Sequence, residues 1–185
     1  MKSLYQLQQF SIYKLTYELA QKYVADICTA LDLIPEVDRH NPEQILASKK
    51  GDRVLYSKWQ HSLIALTEQG EFAGVVIGYE RKSEGNEQYP ENCIYLNDLA
   101  VAANYQKKGL GKFIVQSWLD FNTKTGFLDL DGQLRFCVQT NSSDWNVHVQ
   151  RLYESFGFTK ISSKLYGNRE DNVYVLQPSY IIRHQ

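Results

Sequence analysis

Apolar positions along this chain switch between two spacings. Short apolar or alternating runs bounded by turn residues predict strands, and recurrence every three to four residues predicts amphipathic helices. Residues 12–16 alternate as a first strand. Leu19, Val24, Ile27, Cys28 and Leu31 follow at helical spacing, in a helix that ends before Pro35. Residues 36–42 read as a loop, and a short helix runs from Pro42 to about Lys49. Asn41 is its cap and Pro42 its first residue. Residues 62–67 and 72–79 are two strands of a hairpin turned by Glu68-Gln69-Gly70-Glu71. A polar loop over 83–92 leads to a strand over 93–101.

In the second half, Leu110, Phe113, Ile114, Trp118 and Phe121 mark one helical face, stopped at Gly126. Residues 134–139 are a strand. Trp145, Val149, Leu152, Tyr153 and Phe156 mark a further helix, stopped at Gly157. Two strands, 158–165 and 173–176, join around Gly167-Asn168 and finish the chain. The order β-α-α-β-β-β-α-β-α-β-β implies an α/β (α+β) mixed sheet with helices on both faces.

Composition narrows the functional classes. A chain of 185 residues reads as one domain over 1–185 with a sizeable core. A formal net charge of −1 argues against a general nucleic-acid binder, so any basic cluster serves a local anion. Cys28, Cys93 and Cys137 sit apart in apolar runs, as buried free thiols do in a reducing compartment. No Cys/His spacing suggests a metal. The first residues are too polar for a signal peptide and no apolar run approaches a membrane span, so the expected location is the cytoplasm.

The most informative stretch is Leu99-Ala100-Val101 followed by Ala102-Ala103-Asn104-Tyr105-Gln106-Lys107-Lys108-Gly109-Leu110-Gly111-Lys112. A strand runs into a basic, glycine-spaced turn that opens a helix. Such a turn gathers backbone N–H groups at the positive end of a helix dipole, which suits a phosphate or pyrophosphate. Gly109 and Gly111 let an anion approach the backbone, while Lys107, Lys108 and Lys112 add charge. Neither the P-loop nor the dinucleotide fingerprint is present.

The Gln-x-x-Gly-x-Gly pattern resembles the acetyl-CoA loop of the GNAT superfamily of N-acetyltransferases. A second segment, Asn146-Val147-His148-Val149-Gln150-Arg151-Leu152-Tyr153 with Gly157-Phe158 behind it, resembles that family's Asn and Leu-Tyr helix. Val149 stands where the family has a small Ala, and Asn141 competes with Asn146 for the Asn position. The offset to Tyr153 favours Asn146. The resemblance covers the chain from Cys93 onward; before it, only the order of elements matches.

The resemblance implies acetyl-CoA as co-substrate. Its pyrophosphate would meet Gln106, Lys107, Lys108, Gly109, Leu110, Gly111 and Lys112, with Asn146 nearby. Its pantetheine arm would pair with Leu99, Ala100 and Val101 where the sheet splays. Tyr153 would donate a proton to the departing thiolate, or it is a core tyrosine. Asp98 interrupts an apolar strand, where carboxylates are depleted. It would act as base directly or through water, bind an ammonium, or satisfy a backbone N–H at the splay.

Weaker candidates remain. His40 and Asp38 either touch the acceptor or lie in a solvated loop, and His148 faces solvent. His61 and Trp59 carry no motif, and Tyr5, Tyr79, Tyr89 and Tyr95 line a pocket or simply pack. The expected activity is direct acetyl transfer to a primary amine of a small molecule or peptide, without a covalent enzyme intermediate. A non-catalytic acyl-CoA-binding module on the same fold and an unrelated phosphate-binding domain are the alternatives. Neither nucleic acid, metal nor membrane is expected as a partner; the oligomeric state stays open, a homodimer included.

Overall fold

The computed structural model describes residues 3–35, 39–51, 53–82, 92–125 and 133–177. Asp38, Tyr89, Gly126 and nearly all of the 83–92 loop, all singled out from the sequence, lie outside these residues.

Among the described residues, ten strands and five α-helices follow one another as β1 (Tyr5–Leu7), β2 (Phe10–Lys14), α1 (Tyr17–Lys22), α2 (Val24–Leu31), α3 (Pro42–Leu46), β3 (Lys49–Lys50), β4 (Arg53–Val54), β5 (Leu63–Thr67), β6 (Phe72–Arg81), β7 (Cys93–Val101), α4 (Leu110–Thr123), β8 (Phe136–Asn141), α5 (Val147–Ser155), β9 (Thr159–Tyr166) and β10 (Arg169–Leu176). The main sheet has the order β1-β2-β5-β6-β7-β8-β10-β9. All its pairings are antiparallel except β7 with β8.

Several boundaries differ from expectation for identifiable reasons. The strand expected over 12–16 is β2, Phe10–Lys14, and β1 precedes it; β2 ends before Thr16 because that residue caps α1, its side chain accepting from Leu19 N. The first helix is two: the chain breaks at Tyr23, whose φ of −106° and ψ of 14° end α1 and begin α2. Tyr23 also donates its hydroxyl to Gly70 O at 2.8 Å, a tertiary bond that spacing cannot foretell. In α3 the full capping box forms between Asn41 and Gln44, but the helix stops at Leu46. Lys49–Lys50 then pairs with Arg53–Val54. Trp145 belongs to a 3₁₀ turn over Asp144–Asn146 ahead of α5, not to the helix itself.

Two apolar layers clothe the sheet. On one face Leu110, Ile114, Val115, Trp118 and Leu119 of α4 and Tyr153 of α5 pack on Val76, Ile94, Leu96, Phe136 and Val138. On the other, Ala20, Ile27, Cys28 and Leu31 of α1 and α2 cover Ile64, Leu66, Val75, Ile77 and Ala100. Burying each large side chain contributes about 1.5–3 kcal/mol. Gly74 permits the closeness of α4: a Cβ there would lie 2.8 Å from Ile114 Cδ1 and 2.9 Å from Ala100 O.

The feature that positions the site is a bulge in β7. Ile77 pairs with Asp98, but Gly78 pairs with Leu96, leaving Asn97 as the extra residue. On its other side β7 pairs with β8 only through Ile94, Tyr95 and Leu96, opposite Phe136, Cys137 and Val138. Both strands run on, β7 to Val101 and β8 to Asn141, without pairing again. The sheet therefore splits at the bulge, as the sequence reading expected. Burial changes at the same place: Cys93 to Leu96 are buried, whereas Asn97, Asp98 and Leu99 are half-buried.

Candidate active site

The segment after the split follows from local backbone preferences. Ala103–Tyr105 makes a single 3₁₀ turn, Lys107 takes φ 60°, and Gly109 takes φ 77° as the N-terminal cap of α4. That conformation suits glycine and strains Lys107. Gly109 has no side chain to cap the helix, and no acidic residue lies in the first turn. Phe113 N is the first to bond back, to Gly109 O at 3.1 Å, so the N–H groups before it point out of the helix end. Gln106, Lys107, Lys108, Gly109 and Lys112 are exposed; Gly111 is half-buried and Leu110 is a core residue. At Gly111 the nearest atom to an added Cβ is Val101 Cγ2 at 3.7 Å, which places the helix end against the last residue of β7. Gln106 Nε2 donates to Val101 O at 3.1 Å and ties the loop to the strand.

These features fit a pyrophosphate-bearing co-substrate. The N–H groups at the α4 end and the exposed lysines would hold the phosphates, and the unpaired edge of β7 over Leu99, Ala100 and Val101 would meet the amide-containing arm.

Asp98 and Tyr153 come together across the split. Tyr153 is buried in the α4–α5 layer, its ring 5.7 Å edge-on to Phe158. Burial, and after it the negative charge of Asp98, holds its phenol well above the usual tyrosine pKa. The hydroxyl therefore stays protonated and able to donate. Asp98 itself accepts from Asn97 Nδ2 at 2.6 Å.

Asn146 is buried and has a bracing role. Its Nδ2 donates to Thr140 Oγ1 at 2.7 Å and to Asn141 O at 2.6 Å. It ties the end of β8 to the start of α5, as does Gln150 Nε2 on Asn141 O at 3.1 Å. Asn141, the competing residue, accepts from Ser143 N at 2.7 Å.

The weaker candidates scatter. His148 is exposed. His40 lies 3.2 Å from Asp32, whose carboxyl is held below its usual range first by the His40 backbone N–H. Tyr79 and Tyr95 pack on each other at 5.3 Å, Trp59 stands 6.0 Å edge-on to Tyr17, and Tyr5 packs beside the first layer. The three cysteines are buried free thiols.

Three groups stand outside any sequence motif. His61, 2% exposed, faces Asn122 Oδ1 at 2.6 Å and Glu80 Oε1 at 3.2 Å. Beyond the split, buried Asp171 takes Gln139 Nε2 at 2.7 Å and a two-pronged Arg169 at 2.6 and 2.9 Å. Lys58 is 5% exposed and donates to Ile45 O at 2.6 Å and Ala47 O at 2.9 Å. Apart from the Arg169–Asp171 pair, these contacts join residues far apart in sequence, and the strand register of β8 and β10 could have hinted at the Gln139–Asp171 one. Among the described residues there is no metal-ligating cluster and no helix long and apolar enough to cross a membrane.

Comparisons with known proteins agree with this fold. No curated protein sequence matches the chain. The ribosomal-protein-S18-alanine N-acetyltransferase of Escherichia coli superposes with a TM-score of 0.63 at 16% identity, over 91% of this chain and 93% of that one. A putative GnaT-family acetyltransferase from Bordetella pertussis gives 0.67 at 15%, over 94% and 99%. A putative acetyltransferase from Salmonella typhimurium, solved with its cofactor acetyl-CoA, gives 0.62 at 16%, over 91% and 94%. These likenesses show the fold. The acetyltransferase (GNAT) family matches residues 31–158, from the end of α2 to the residue before β9, and the chain belongs to that family of acetyl-CoA-dependent acetyltransferases.

Proposed function

We propose that the protein transfers the acetyl group of acetyl-CoA directly to a primary amine of a small molecule or peptide. The observation that carries this reading is the split after Leu96 and Val138, with Asp98 on one strand and the buried Tyr153 within reach of its charge. Acetyl-CoA supplies the acetyl group as an activated thioester. The free edge of β7 holds the arm in line, and a backbone N–H there polarises the thioester carbonyl. Asp98 accepts the proton that the amine must lose before or during attack. Tyr153 directs its hydroxyl toward the departing sulfur; its raised pKa keeps the phenol protonated, so it serves chiefly as a hydrogen-bond donor to the developing thiolate and regains at once any proton it shares.

The test is release of free CoA thiol from acetyl-CoA with a panel of primary amines: an amino alcohol, a diamine and a tripeptide. Turnover with at least one is expected. Tyr153→Phe then lowers kcat by about 10²–10⁴-fold and leaves CoA affinity in place. Full activity in a folded Tyr153→Phe protein removes the acid from this residue.

A further inference from the structure

A carboxylate beside a phosphate site opposes binding by its charge, so its presence there calls for another use. Glu71 is such a group. It ends the Glu68-Gln69-Gly70-Glu71 turn between β5 and β6, and its Oε2 accepts the Tyr105 hydroxyl at 3.0 Å. Tyr105 closes the 3₁₀ turn Ala103–Tyr105, so the basic segment 106–112 sets out from it.

Both ends of this bond are fixed. In the β5–β6 turn, Thr67 N donates to Glu71 O at 2.9 Å and Glu71 N to Thr67 Oγ1 at 3.2 Å. Glu68 N donates to Gln9 O at 3.1 Å, and Tyr23, at the break between α1 and α2, donates its hydroxyl to Gly70 O at 2.8 Å. On the other side, the Tyr105 ring stands edge-on to buried Phe10 of β2, with centroids 5.3 Å apart. Tyr105 N donates to Ala102 O at 2.8 Å, and Lys108 Nζ sits 5.5 Å from the ring centre. Backbone, ring and hydroxyl of this one residue are each engaged.

The residues after Tyr105 need such an anchor. Lys107 takes φ 60°, which an L side chain adopts only at a cost. Backbone of that kind persists where its surroundings over-determine it. Gln106 ties the segment back to Val101 O, within the same stretch of chain. The bond to Glu71 ties it to a different part of the fold, 34 residues away.

We propose that Tyr105 and Glu71 are positioning residues for the co-substrate: their hydrogen bond fixes the start of segment 106–112 against the β5–β6 turn, so that the N–H groups at the α4 end already stand in place when acetyl-CoA arrives. The inference rests on those N–H groups holding the phosphates. A segment held in its binding shape spares the ligand the cost of ordering it. Both residues act through the loop, not on the reacting atoms.

The sign of the effect separates this role from plain electrostatics. Removing a negative charge near an anion site tightens anion binding, whereas removing a support weakens it. Glu71→Ala is expected to weaken CoA binding about fivefold by calorimetry, in line with the loss of one hydrogen bond. Tyr105→Phe keeps the ring against Phe10 and should weaken binding by the same factor, and the double variant no further than either single one. Glu71→Gln still offers an oxygen to the hydroxyl and should stay within about twofold of the wild type. Tighter or unchanged binding in Glu71→Ala, or additive losses in the double variant, overturns the proposal.

The loss must also follow the phosphates. With the amine from the panel that turns over fastest, Tyr105→Phe should raise KM for acetyl-CoA about fivefold and leave kcat unchanged. With S-acetyl-pantetheine, which has the thioester and the arm but no pyrophosphate, kcat/KM should not move. An equal fall with both donors would mean a general distortion of the split and overturns the proposal. Wild-type CoA binding that survives Gly111→Asp places the phosphates elsewhere and removes the premise. Binding lost in Gly111→Asp but unaltered in Tyr105→Phe faults the Tyr105–Glu71 pair alone. If no amine in the panel turns over, the proposed function fails, and the calorimetry still decides whether the pair supports the loop.

Discussion

The N-terminal turn of α4 and the Lys58 turn both present N–H donors, one through the backbone and the other through a side chain. At α4, the N–H groups of the first turn project because Gly109 adopts φ 77° and offers nothing to cap them. At Lys58, one ammonium is drawn into the protein and held by two carbonyls that themselves end a helix. The first arrangement binds whatever anion arrives, because its donors are fixed by chain geometry. The second is specific to its surroundings, because its charge depends first on burial. In the proposed reading, main chain would hold the common co-substrate and side chains would handle the acceptor.

The largest effect should come from spoiling the backbone wall. Gly111→Asp is expected to reduce acetyl-CoA binding from the micromolar range, about −8 kcal/mol, to below detection by calorimetry. The fold should persist, because an added Cβ meets nothing nearer than 3.7 Å, so retained binding in the folded variant would move the anion site away from α4. Asp98→Asn comes next, on the opposite wall. It should leave CoA affinity intact, lower kcat/KM by about 10²–10⁴-fold and remove the low-pH limb of the rate profile. An intact limb would shift the proton acceptor to an ordered water.

Smaller effects concern stability. The Lys58 ammonium titrates near 8 in the folded chain against 10.5 unfolded. Between those values the unfolded chain binds more protons, so stability rises with pH, by up to about 3 kcal/mol in total. Tyr153 has the opposite sign: its raised phenol contributes stability that is lost as pH climbs past about 10. Urea midpoints at pH 8, 9 and 10 should therefore increase and then level off or turn over. Lys58→Met should flatten the rise; an unchanged slope would separate Lys58 from it. Least of all, Asn41→Ala removes the capping box of α3 at a cost of about 1 kcal/mol. It should alter KM for the amine and not for acetyl-CoA, because Asn41 directly follows His40, a candidate contact of the acceptor. A change in KM for acetyl-CoA alone would reverse the assignment of the two walls.

The contrast also explains what could be read in the sequence. β7 runs over Cys93–Val101 and α4 starts at Leu110, both as expected from spacing, because glycine and alternating burial are properties of consecutive residues. The split was legible only through family resemblance; no pattern within 93–101 marks Asn97 as an extra residue. The surroundings of Lys58 and His61, and the Gln139 contact of Asp171, could not be read because the partners lie 11 to 13, 19 to 61 and 32 residues away along the chain. Asn146 was placed by its offset to Tyr153 as a residue beside the co-substrate; its donors serve the β8–α5 corner, a use that the offset does not reveal.

The single extra residue in β7 also acts as a parity switch. Before Asn97, even-numbered Ile94 and Leu96 pack under α4 while odd-numbered Tyr95 lies on the opposite face; after it, even-numbered Ala100 lies under α2 and odd-numbered Leu99 and Val101 face α4. Deleting Asn97 would put the strand back in step with β6 from end to end. The deletion would bring β7 and β8 toward continuous pairing and close the opening between them, and the Asp98 carboxylate would keep its side while losing the cleft it borders. Substitution cannot imitate that change, since any side chain at 97 keeps the count. The family chemistry of this chain thus hangs on the number of residues in one strand as much as on which residues they are.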